Sequence, residues 1–360
     1  MSYVVPIGPY HPALEEPVHA RLYTNGEEIT DAEVFIGYNH RGIEKLAQQK
    51  NFIQTITLVE RVCGICSHSN ALGYCMALEN IAQMNVPKRG QYIRVIMNEL
   101  ERLHSHYLWL GIALHLVGHD SLFMHCWDER EVIMDMLEEI SGNRVNYGMV
   151  TVGGSRRDID DDKRRHILEM LDKVEKSMIR LRDILLSDKT VALRTQGVGI
   201  LTTEDSIRIG AVGPHARASN VAVDVRKDSP YICYEDFEFE KAVYPTCDVF
   251  SRVVVRVLEN FESIKIIRQA LEMLPTGPIN LGVKIPKIPA GEYMVRHEAP
   301  RGQLCYKVVT DGGEFNKRVS LHVPTFKTAP TIPTMLRGNS VADAGLIIAS
   351  IDPCFSCMDR

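Results

Sequence analysis

Residues 352–360 read Asp352-Pro353-Cys354-Phe355-Ser356-Cys357-Met358-Asp359-Arg360 and contain two cysteines separated by two residues. An apolar run over 344–349 precedes them, which predicts a strand or helix that carries the two sulfurs into the protein interior. The only other Cys-x-x-Cys pair lies in Arg61-Val62-Cys63-Gly64-Ile65-Cys66. The two pairs supply four thiolates, which is enough for one complete soft-metal site.

The spacing of these four cysteines is compatible with several kinds of site. Spacing alone favours a structural zinc or a rubredoxin-like iron, which would link the C-terminal segment to the N-terminal third of the chain. A pair of disulfides is disfavoured, because we find no signal peptide and cytosolic thiols stay reduced. The spacing therefore predicts a metal site without identifying the metal.

The residues around both pairs resemble the two metal-binding motifs of the large subunit of NiFe hydrogenases. Those motifs read Arg-x-Cys-Gly-x-Cys and Asp-Pro-Cys-x-x-Cys-x-x-(His or Arg), and this chain matches both. In that family a maturation protease trims the precursor after the final His or Arg, and Arg360 occupies that position. The resemblance covers essentially the whole chain and implies the fold of the hydrogenase large subunit.

The composition limits what else the protein can do. The 360 residues are 45% hydrophobic and 24% charged, which is typical of a globular protein with a sizeable core. A formal net charge of −5 gives no support to nucleic-acid binding. No window approaches about 18 uninterrupted apolar residues, so any membrane association is expected to depend on partner subunits.

The N-terminal segment indicates a branch of the family. Gly8-Pro9-Tyr10-His11-Pro12, followed by Glu15-Glu16-Pro17, resembles the start of the energy-converting, membrane-associated hydrogenases (group 4, Ech-type) and of the homologous quinone-site subunit of respiratory complex I. Paired carboxylates are usually part of a solvated turn. By family position, Glu16 matches the glutamate that relays protons away from the metal, whereas Glu15 is expected at the surface.

A further motif, Arg41-Gly42-Ile43-Glu44, resembles the segment that helps to hold a Mg²⁺ ion near the C-terminus of hydrogenases. A carboxylate such as that of Glu44 suits a hard cation. The usual second ligand there is a terminal His, and this chain has Arg360 instead. Because arginine cannot ligate a cation, Arg360 would replace the ion by pairing with Glu44.

Hydrophobic periodicity predicts an α+β fold that is predominantly α-helical. Period-2 alternation with turn residues marks the N-terminus, three- to five-residue steps mark the middle, and Pro- and Gly-rich strands follow. We expect one integrated subunit with four parts: an N-terminal β-hairpin region (1–50), a bundle of long helices (51–274), a small β region (275–343) and the C-terminal metal-binding segment (344–360). Cys63 and Cys66 are expected where a helix breaks and resumes.

The chain departs from the family pattern close to the first motif. The family often has a His four residues after the second cysteine, where it tunes the bridging thiolate, and this chain has Asn70 there. His68 is two residues short of that position. The four sulfurs are unaffected, but the hydrogen bonds that reach them are expected to differ.

The histidines between 104 and 125 give a weaker signal. His115 and His119 have the four-residue spacing of two ligands on one helix face, but no His-Glu-x-x-His motif accompanies them. We interpret these histidines mainly as packing residues, and Asp120 as a weak candidate for a carboxylate near the nickel.

The resemblance implies a Ni–Fe(CN)2(CO) centre that catalyses H2 ⇌ 2H⁺ + 2e⁻. By position in the motifs, Cys63 and Cys354 would be terminal nickel ligands, and Cys66 and Cys357 would bridge nickel and iron. Cys354 would accept the proton and pass it to Glu16.

Glu298-Ala299-Pro300-Arg301-Gly302 resembles the family segment that lies beside the metal. The resemblance implies that the Arg301 guanidinium covers the open coordination position, with Asp352 as its carboxylate partner. The alternative for Arg301 is a solvated surface turn.

The partners follow from the absence of any other group of spaced cysteines that would hold an Fe–S cluster. Electrons would therefore leave through a small 4Fe–4S subunit docked near the metal. Resemblance to group 4 further implies a ferredoxin-type Fe–S subunit, ferredoxin, integral membrane subunits that move ions, and a peripheral position on the cytoplasmic side of the membrane. Two alternatives remain: a complex I-like quinone-site subunit, whose family lacks the four nickel cysteines, and a structural four-cysteine zinc scaffold.

Overall fold

The N-terminal region forms an antiparallel sheet in the computed structural model, which describes residues 2–12, 14–283 and 286–360. Its strands, in the order β1-β2-β3, are β1 (Ser2–Ile7), β2 (His19–Asn25) and β3 (Glu28–Phe35). Buried and solvent-facing residues alternate along β2, so one face of the sheet packs on the core. Gly26 has a φ of 64° in the turn between β2 and β3, which is the hairpin that Asn25-Gly26 predicts.

Helices make up the middle of the chain. They are α1 (Ile43–Ala47), α2 (Phe52–Glu60), α3 (Ser67–Ile81), α4 (Lys88–Val117), α5 (Asp120–Ser141), α6 (Asp161–Ser187), α7 (Lys189–Thr195), α8 (Thr203–Ile209), α9 (Gly213–Arg217), α10 (Val225–Asp228) and α11 (Val249–Glu272), with the short strands β4 (Val150–Thr151) and β5 (Gly154–Ser155) after α5. α5, α11 and α3 all pack against α4, and α6 packs against α5 and α11. Residues 92–111 of α4 are buried on every side, so this helix is the axis of the bundle.

The first cysteine pair lies in the short connection between α2 and α3. Asn51 and Gln54 form a capping box at the start of α2. At the start of α3, the Glu101 carboxylate of α4 accepts hydrogen bonds from the backbone N–H groups of His68 (2.6 Å) and Ser69 (3.0 Å). These contacts satisfy donors that a helix start leaves without an intrahelical partner, so α4 fixes the position of the cysteine loop.

A second antiparallel sheet carries the Pro300-Arg301 turn. Its strands, in the order β6-β7-β8, are β6 (Ala290–Ala299), β7 (Gly302–Asp311) and β8 (Asn316–His322). Gly302 has a φ of 124°, and a Cβ there would lie 2.7 Å from the Cα of Gly213. Glycine is required at this position because the turn must lie directly against α9.

The C-terminal segment is helical, and its last turn is buried against the rest of the protein. Its helices are α12 (Pro324–Thr328), α13 (Ile332–Leu336), α14 (Ala344–Ser350) and α15 (Phe355–Asp359). Between α14 and α15, Asp352 has a φ of 56°, a left-handed conformation that Asp tolerates better than most residues. The prediction of a predominantly helical α+β fold with small sheets is confirmed. Among the described residues, no helix combines the length and apolar character that crossing a bilayer requires.

Candidate metal centre

The four motif cysteines come together in the interior. The four Sγ atoms all lie within 4.8 Å of one another, and the four side chains, those of Cys63, Cys66, Cys354 and Cys357, are buried. The Sγ atoms of Cys63 and Cys354 are 3.3 Å apart, and those of Cys66 and Cys357 are 3.4 Å apart. The sulfurs are thus arranged as two close pairs, each with one member from each motif.

Backbone N–H groups hold the sulfurs in place. The Ile65 N–H donates to Cys63 Sγ at 3.2 Å, and the Cys357 N–H donates to Cys354 Sγ at 3.3 Å. The Cys354 N–H in turn donates to Thr325 Oγ1 at 3.0 Å. The side chains are therefore oriented by their own loops, which is the preorganisation a metal site needs.

The pKa shifts of the four thiols indicate that the cluster needs a cation if all four are to be thiolates. The S–H of Cys354 donates to Cys63 and lowers the pKa of that thiol, whereas hydrogen bonding within the cluster raises the pKa of Cys66 and of Cys357. Four adjacent thiolates are not stable in a buried site without a cation. A soft cation would replace the shared protons and bind all four as thiolates.

Arg301 and Asp352 form a buried ion pair beside the sulfurs. Arg301 Nη2 lies 2.7 Å from Asp352 Oδ1, and Arg301 Nε donates to the Asp352 carbonyl at 2.9 Å. Burial opposes the charge of Arg301, but Asp352 and the cysteine thiolates raise the pKa of the guanidinium well above its usual value. The alternative of a solvated turn for Arg301 is therefore wrong.

Asp352 also faces a second arginine that the sequence did not single out. Arg256 Nε lies 3.8 Å from Asp352 Oδ2, and its guanidinium stacks on Trp109 at 3.8 Å from the ring centroid. Trp109 Nε1 donates to the Ala349 carbonyl at 2.7 Å, three residues before Asp352. One buried carboxylate thus lies between two buried guanidinium groups, beside the sulfurs.

A small cavity borders the sulfurs on one side. Its walls include Cys66, Cys354, Cys357, Arg301, Thr325 and the apolar residues Ala299, Leu304, Val323 and Pro324. The cavity therefore offers apolar contacts, one guanidinium and one hydroxyl next to the Cys66–Cys357 pair.

Glu16 reaches the C-terminal cysteine motif from the connection between β1 and β2. Its Oε2 accepts a hydrogen bond from the Ser356 N–H at 2.8 Å, and its Oε1 accepts one from Ser356 Oγ at 3.0 Å. Burial raises the pKa of the Glu16 carboxyl, although the Ser356 hydrogen bonds oppose this effect. The carboxylate thus lies beside the residue that separates Cys354 from Cys357.

Glu15 lies at the surface, as expected, but its surroundings are not those of an open surface. The side chain is exposed, yet crowding by protein atoms raises the pKa of its carboxyl to about 8, with a further contribution from the charge of Asp352. A side chain can be both accessible and desolvated when it lies in a recess, and we interpret Glu15 in this way.

Glu44 is paired with arginines. Its Oε1 accepts hydrogen bonds from Arg360 Nε at 2.9 Å and from the Leu321 N–H at 3.0 Å, and its Oε2 accepts one from Arg318 at 2.8 Å. Both oxygens that would bind Mg²⁺ are engaged, and neither arginine can ligate a cation. These residues do not fit a magnesium site, and the ion pair suggested by the sequence is present.

Residues 37–41 hold the last turn of the chain. The Gly37 and Asn39 N–H groups both donate to Asp359 Oδ2 at 3.0 Å. Arg41 Nη2 donates to the carbonyls of Val62 (2.9 Å) and Ser356 (2.7 Å). A single arginine thus connects the loops of the two cysteine motifs, a role that its place in the sequence pattern did not reveal.

Asn70 contacts the second sulfur pair. Its Nδ2 lies 3.4 Å from Cys66 Sγ and 4.0 Å from Cys357 Sγ, and donates to the Cys66 carbonyl at 2.8 Å. His68 is directed elsewhere, because its ring hydrogen-bonds to the Arg94 carbonyl. Burial lowers the pKa of His68 to about 3, so this ring is neutral.

Two other candidates lie outside the cluster. Asp120 is 74% exposed and pairs with His115, so it cannot reach buried sulfurs, and its interpretation as a carboxylate near the nickel is wrong. Glu101, in contrast, was missed by sequence reasoning. Burial raises the pKa of its carboxyl to about 8, and it caps the helix that follows Cys66.

Two family models match segments that together include both cysteine motifs. Residues 41–120 match the model of the nickel-dependent hydrogenases. Residues 117–286 and 281–360 match the model described as the respiratory-chain NADH dehydrogenase 49 kDa subunit. The chain belongs to the family that unites the large subunits of nickel-dependent hydrogenases with this subunit of complex I, a family of oxidoreductases.

Individual relatives come from both branches. The chain is 42% identical to the carbon monoxide-induced hydrogenase of Rhodospirillum rubrum, over 100% of this chain and 99% of the relative. It is 36% identical to a subunit of the NADH-quinone oxidoreductase of Clostridium beijerinckii, over 98% of this chain and 96% of the relative. A solved chain of the membrane-bound sulfane sulfur reductase, an archaeal respiratory membrane complex, superposes with a TM-score of 0.95 at 30% identity, covering 100% of this chain and 98% of that one. Relatives therefore include subunits of membrane-bound complexes.

Proposed function

We propose that this chain is the catalytic subunit of a NiFe hydrogenase of the energy-converting group, catalysing H2 ⇌ 2H⁺ + 2e⁻. The observation that carries the proposal is the buried group of four cysteine sulfurs within 4.8 Å of one another. Both branches of the family share the fold, but the four thiolates are what the resemblance implies for hydrogenases and not for quinone-site subunits.

The residues around the sulfurs fit a binuclear centre. Cys63 and Cys354 form one pair and Cys66 and Cys357 the other, which is the division expected between terminal and bridging ligands. A single tetrahedral ion needs no space beside its ligands, whereas a second metal does. The cavity that borders Cys66 and Cys357 supports a second metal on that side of the sulfurs. When bound there, a Ni–Fe(CN)2(CO) centre would supply the heterolytic cleavage of H2.

The chain itself would handle the proton. Cys354 Sγ, which borders the cavity, is the proposed first acceptor, and Glu16 is the proposed second. Both Glu16 oxygens are anchored on Ser356, so the carboxylate is held beside this motif. Burial raises the pKa of this carboxyl above the ordinary glutamate value, which makes it a better proton acceptor than an exposed glutamate.

Arg301 and Asp352 are proposed to organise the side of the site that faces the cavity. Arg301 is fixed at three points, by the Asp352 carboxylate, the Asp352 carbonyl and Ser105 Oγ. A rigid guanidinium in a buried site stabilises negative charge without reorganisation. Asp352 holds the Arg301 guanidinium in one orientation, and Arg256 forms a second ion pair with the Asp352 carboxylate.

At the C-terminus, we propose that the Glu44–Arg360 pair takes the place of a divalent cation. A hydrogen-bonded ion pair between an arginine and a carboxylate can attach the end of a chain to the rest of the protein, as a shared metal ion does. The protein would then need no Mg²⁺ to keep α15 in place.

The proposed partners follow from the electron and ion balance. Electrons would pass to a small 4Fe–4S subunit and then, through a ferredoxin-type subunit, to ferredoxin. Integral membrane subunits would hold the chain on the cytoplasmic side of the membrane and translocate ions. A maturation protease would act at the C-terminus. Support for membrane partners comes from the relatives that are subunits of membrane-bound complexes.

Nickel and iron analysis together with an infrared spectrum of the purified complex tests this proposal. We expect nickel, iron and the bands of CO and cyanide ligands. Zinc alone would support the structural scaffold, and absence of metal would support the complex I-like quinone-site subunit. Cys357→Ser, which removes one sulfur, should abolish the bands, whereas Cys126→Ser, a buried cysteine outside the cluster, should retain them.

A further inference from the structure

The amide of Asn70 approaches the Cys66–Cys357 pair with an N–H group. It lies one turn into α3, is fully buried, and has its Nδ2 at 3.4 Å from Cys66 Sγ and 4.0 Å from Cys357 Sγ. The same Nδ2 also donates to the Cys66 carbonyl. One NH2 group thus has two hydrogens for the carbonyl and the sulfurs.

Tyr306 anchors the oxygen end of this amide. The Tyr306 hydroxyl, on β7, donates to Asn70 Oδ1 at 2.7 Å. If the amide were flipped, its oxygen would face the Cys66 carbonyl and thiolate, which are acceptors, so only one orientation is favourable. Burial raises the pKa of Tyr306 well above its usual value, so the hydroxyl stays a neutral donor.

Gly73 makes room for Tyr306. A Cβ at Gly73, three residues after Asn70 on α3, would lie 2.7 Å from Tyr306 Cδ2. The close packing of β7 on α3 therefore depends on the missing side chain. Helix, strand and amide form one rigid unit with the donor directed at the sulfurs.

We propose that Asn70, oriented by Tyr306, is a positioning residue that donates a hydrogen bond to the Cys66–Cys357 thiolates and raises the reduction potential of the metal they bind. A hydrogen bond withdraws electron density from a thiolate, which stabilises the more reduced state of the metal. Because a side-chain amide has no titratable proton in the working range of an enzyme, the donor is present at every working pH. The proposal rests on the proposed function only for the identity of the metals.

The test compares Asn70→Ala and Tyr306→Phe with two controls, Asn80→Ala on the exposed end of α3 and Tyr293→Phe on β6. In the purified complex, both test variants should shift the CO and cyanide infrared bands to lower wavenumber and make the reduction potential of the centre more negative. The shift should be smaller for Tyr306→Phe, which frees the amide without removing it. The two controls should match the wild type.

A second measurement separates this inference from the proposed function. The same four variants of the full chain, loaded with Co²⁺ in place of the native metal, should show a lower-energy sulfur-to-cobalt charge-transfer band for Asn70→Ala and Tyr306→Phe. Wild-type protein without nickel or infrared bands would contradict the hydrogenase proposal, while the cobalt spectra would still decide on the hydrogen bond. Unchanged cobalt and infrared bands in Asn70→Ala would overturn the inference. If Asn70→Ala binds no metal, Tyr306→Phe decides alone: a shift supports the inference and no shift overturns it.

Discussion

Replacement of Arg301 by lysine should leave the centre assembled and slow its turnover. Arg301 contacts the Asp352 carboxylate at 2.7 Å, the Asp352 carbonyl at 2.9 Å and Ser105 Oγ at 3.3 Å. Lysine keeps the positive charge that Asp352 needs, but its single ammonium cannot occupy the positions of both Nε and Nη2. At least one hydrogen bond to a charged group is lost, worth about 1.5–3 kcal/mol.

If the guanidinium acts in the transition state, the lost interaction energy raises the activation free energy and lowers the rate by a corresponding factor. About 1.4 kcal/mol corresponds to tenfold, so the contacts alone predict roughly a 10- to 10²-fold decrease. In other enzymes, removal of one preorganised hydrogen-bond donor lowers kcat by about 10²–10³-fold. We therefore expect a decrease of about 10²-fold in H2-dependent turnover. Folding should be little affected because lysine keeps the buried positive charge that faces Asp352.

The assay is H2 oxidation with an artificial electron acceptor, on complex whose nickel content and infrared bands equal those of the wild type. Arg296→Lys is the matched control, because Arg296 is an exposed arginine on the strand that leads to the same turn. Wild-type turnover in Arg301→Lys, with intact bands, would refute the placement of this guanidinium at the reacting site.

Cys357→Ser should prevent assembly of the centre, because a serine oxygen is a poor bridge between soft metals; full nickel content measured in that variant would remove the bridging assignment. Glu16→Gln should keep metal and infrared bands but lose hydrogen–deuterium exchange, with Glu27→Gln on the exposed hairpin as control, and normal exchange would place the proton exit elsewhere. Chelation by EDTA should leave the wild-type melting temperature unchanged because Arg360 occupies Glu44, and a lowered value would indicate a divalent cation. Glu99 is buried but paired with Arg102 and Arg226, which lower the pKa of its carboxyl to about 2. Its stabilising contribution is thus complete above about pH 4.5, the ordinary glutamate value, and is lost as the pH falls towards 2. Urea unfolding of Glu99→Gln at pH 7 and pH 3 should show a smaller acid-induced loss of stability than in the wild type.

The sequence determined much of the fold and the centre of the site. Three- to five-residue apolar steps predicted the helical middle of the chain, which contains α2, α3 and α11, and turn residues predicted the N-terminal hairpin region, because helix periodicity and turn chemistry are local properties. The two Cys-x-x-Cys pairs identified the four sulfurs for a related reason: cysteines at that spacing need no knowledge of the rest of the chain to indicate a metal site. Arg301 and Asp352 were identified through the motifs around them.

Only the tertiary structure decided which groups surround those sulfurs. Glu101 lies on a helix where its spacing indicates nothing special, and Arg256 belongs to a helix with the pattern of ordinary core. The sequence marked Asn70 as a departure from the family pattern, but it did not show which groups this side chain contacts. Their roles come from contacts between elements far apart in sequence, such as that of Tyr306 with Asn70 across 236 positions. Glu15 shows the same limit, because the pKa of its carboxyl depends on how many protein atoms gather around it. Burial and charge at a point are sums over all neighbouring elements, so they are fixed by packing and cannot be read from any one segment of the chain.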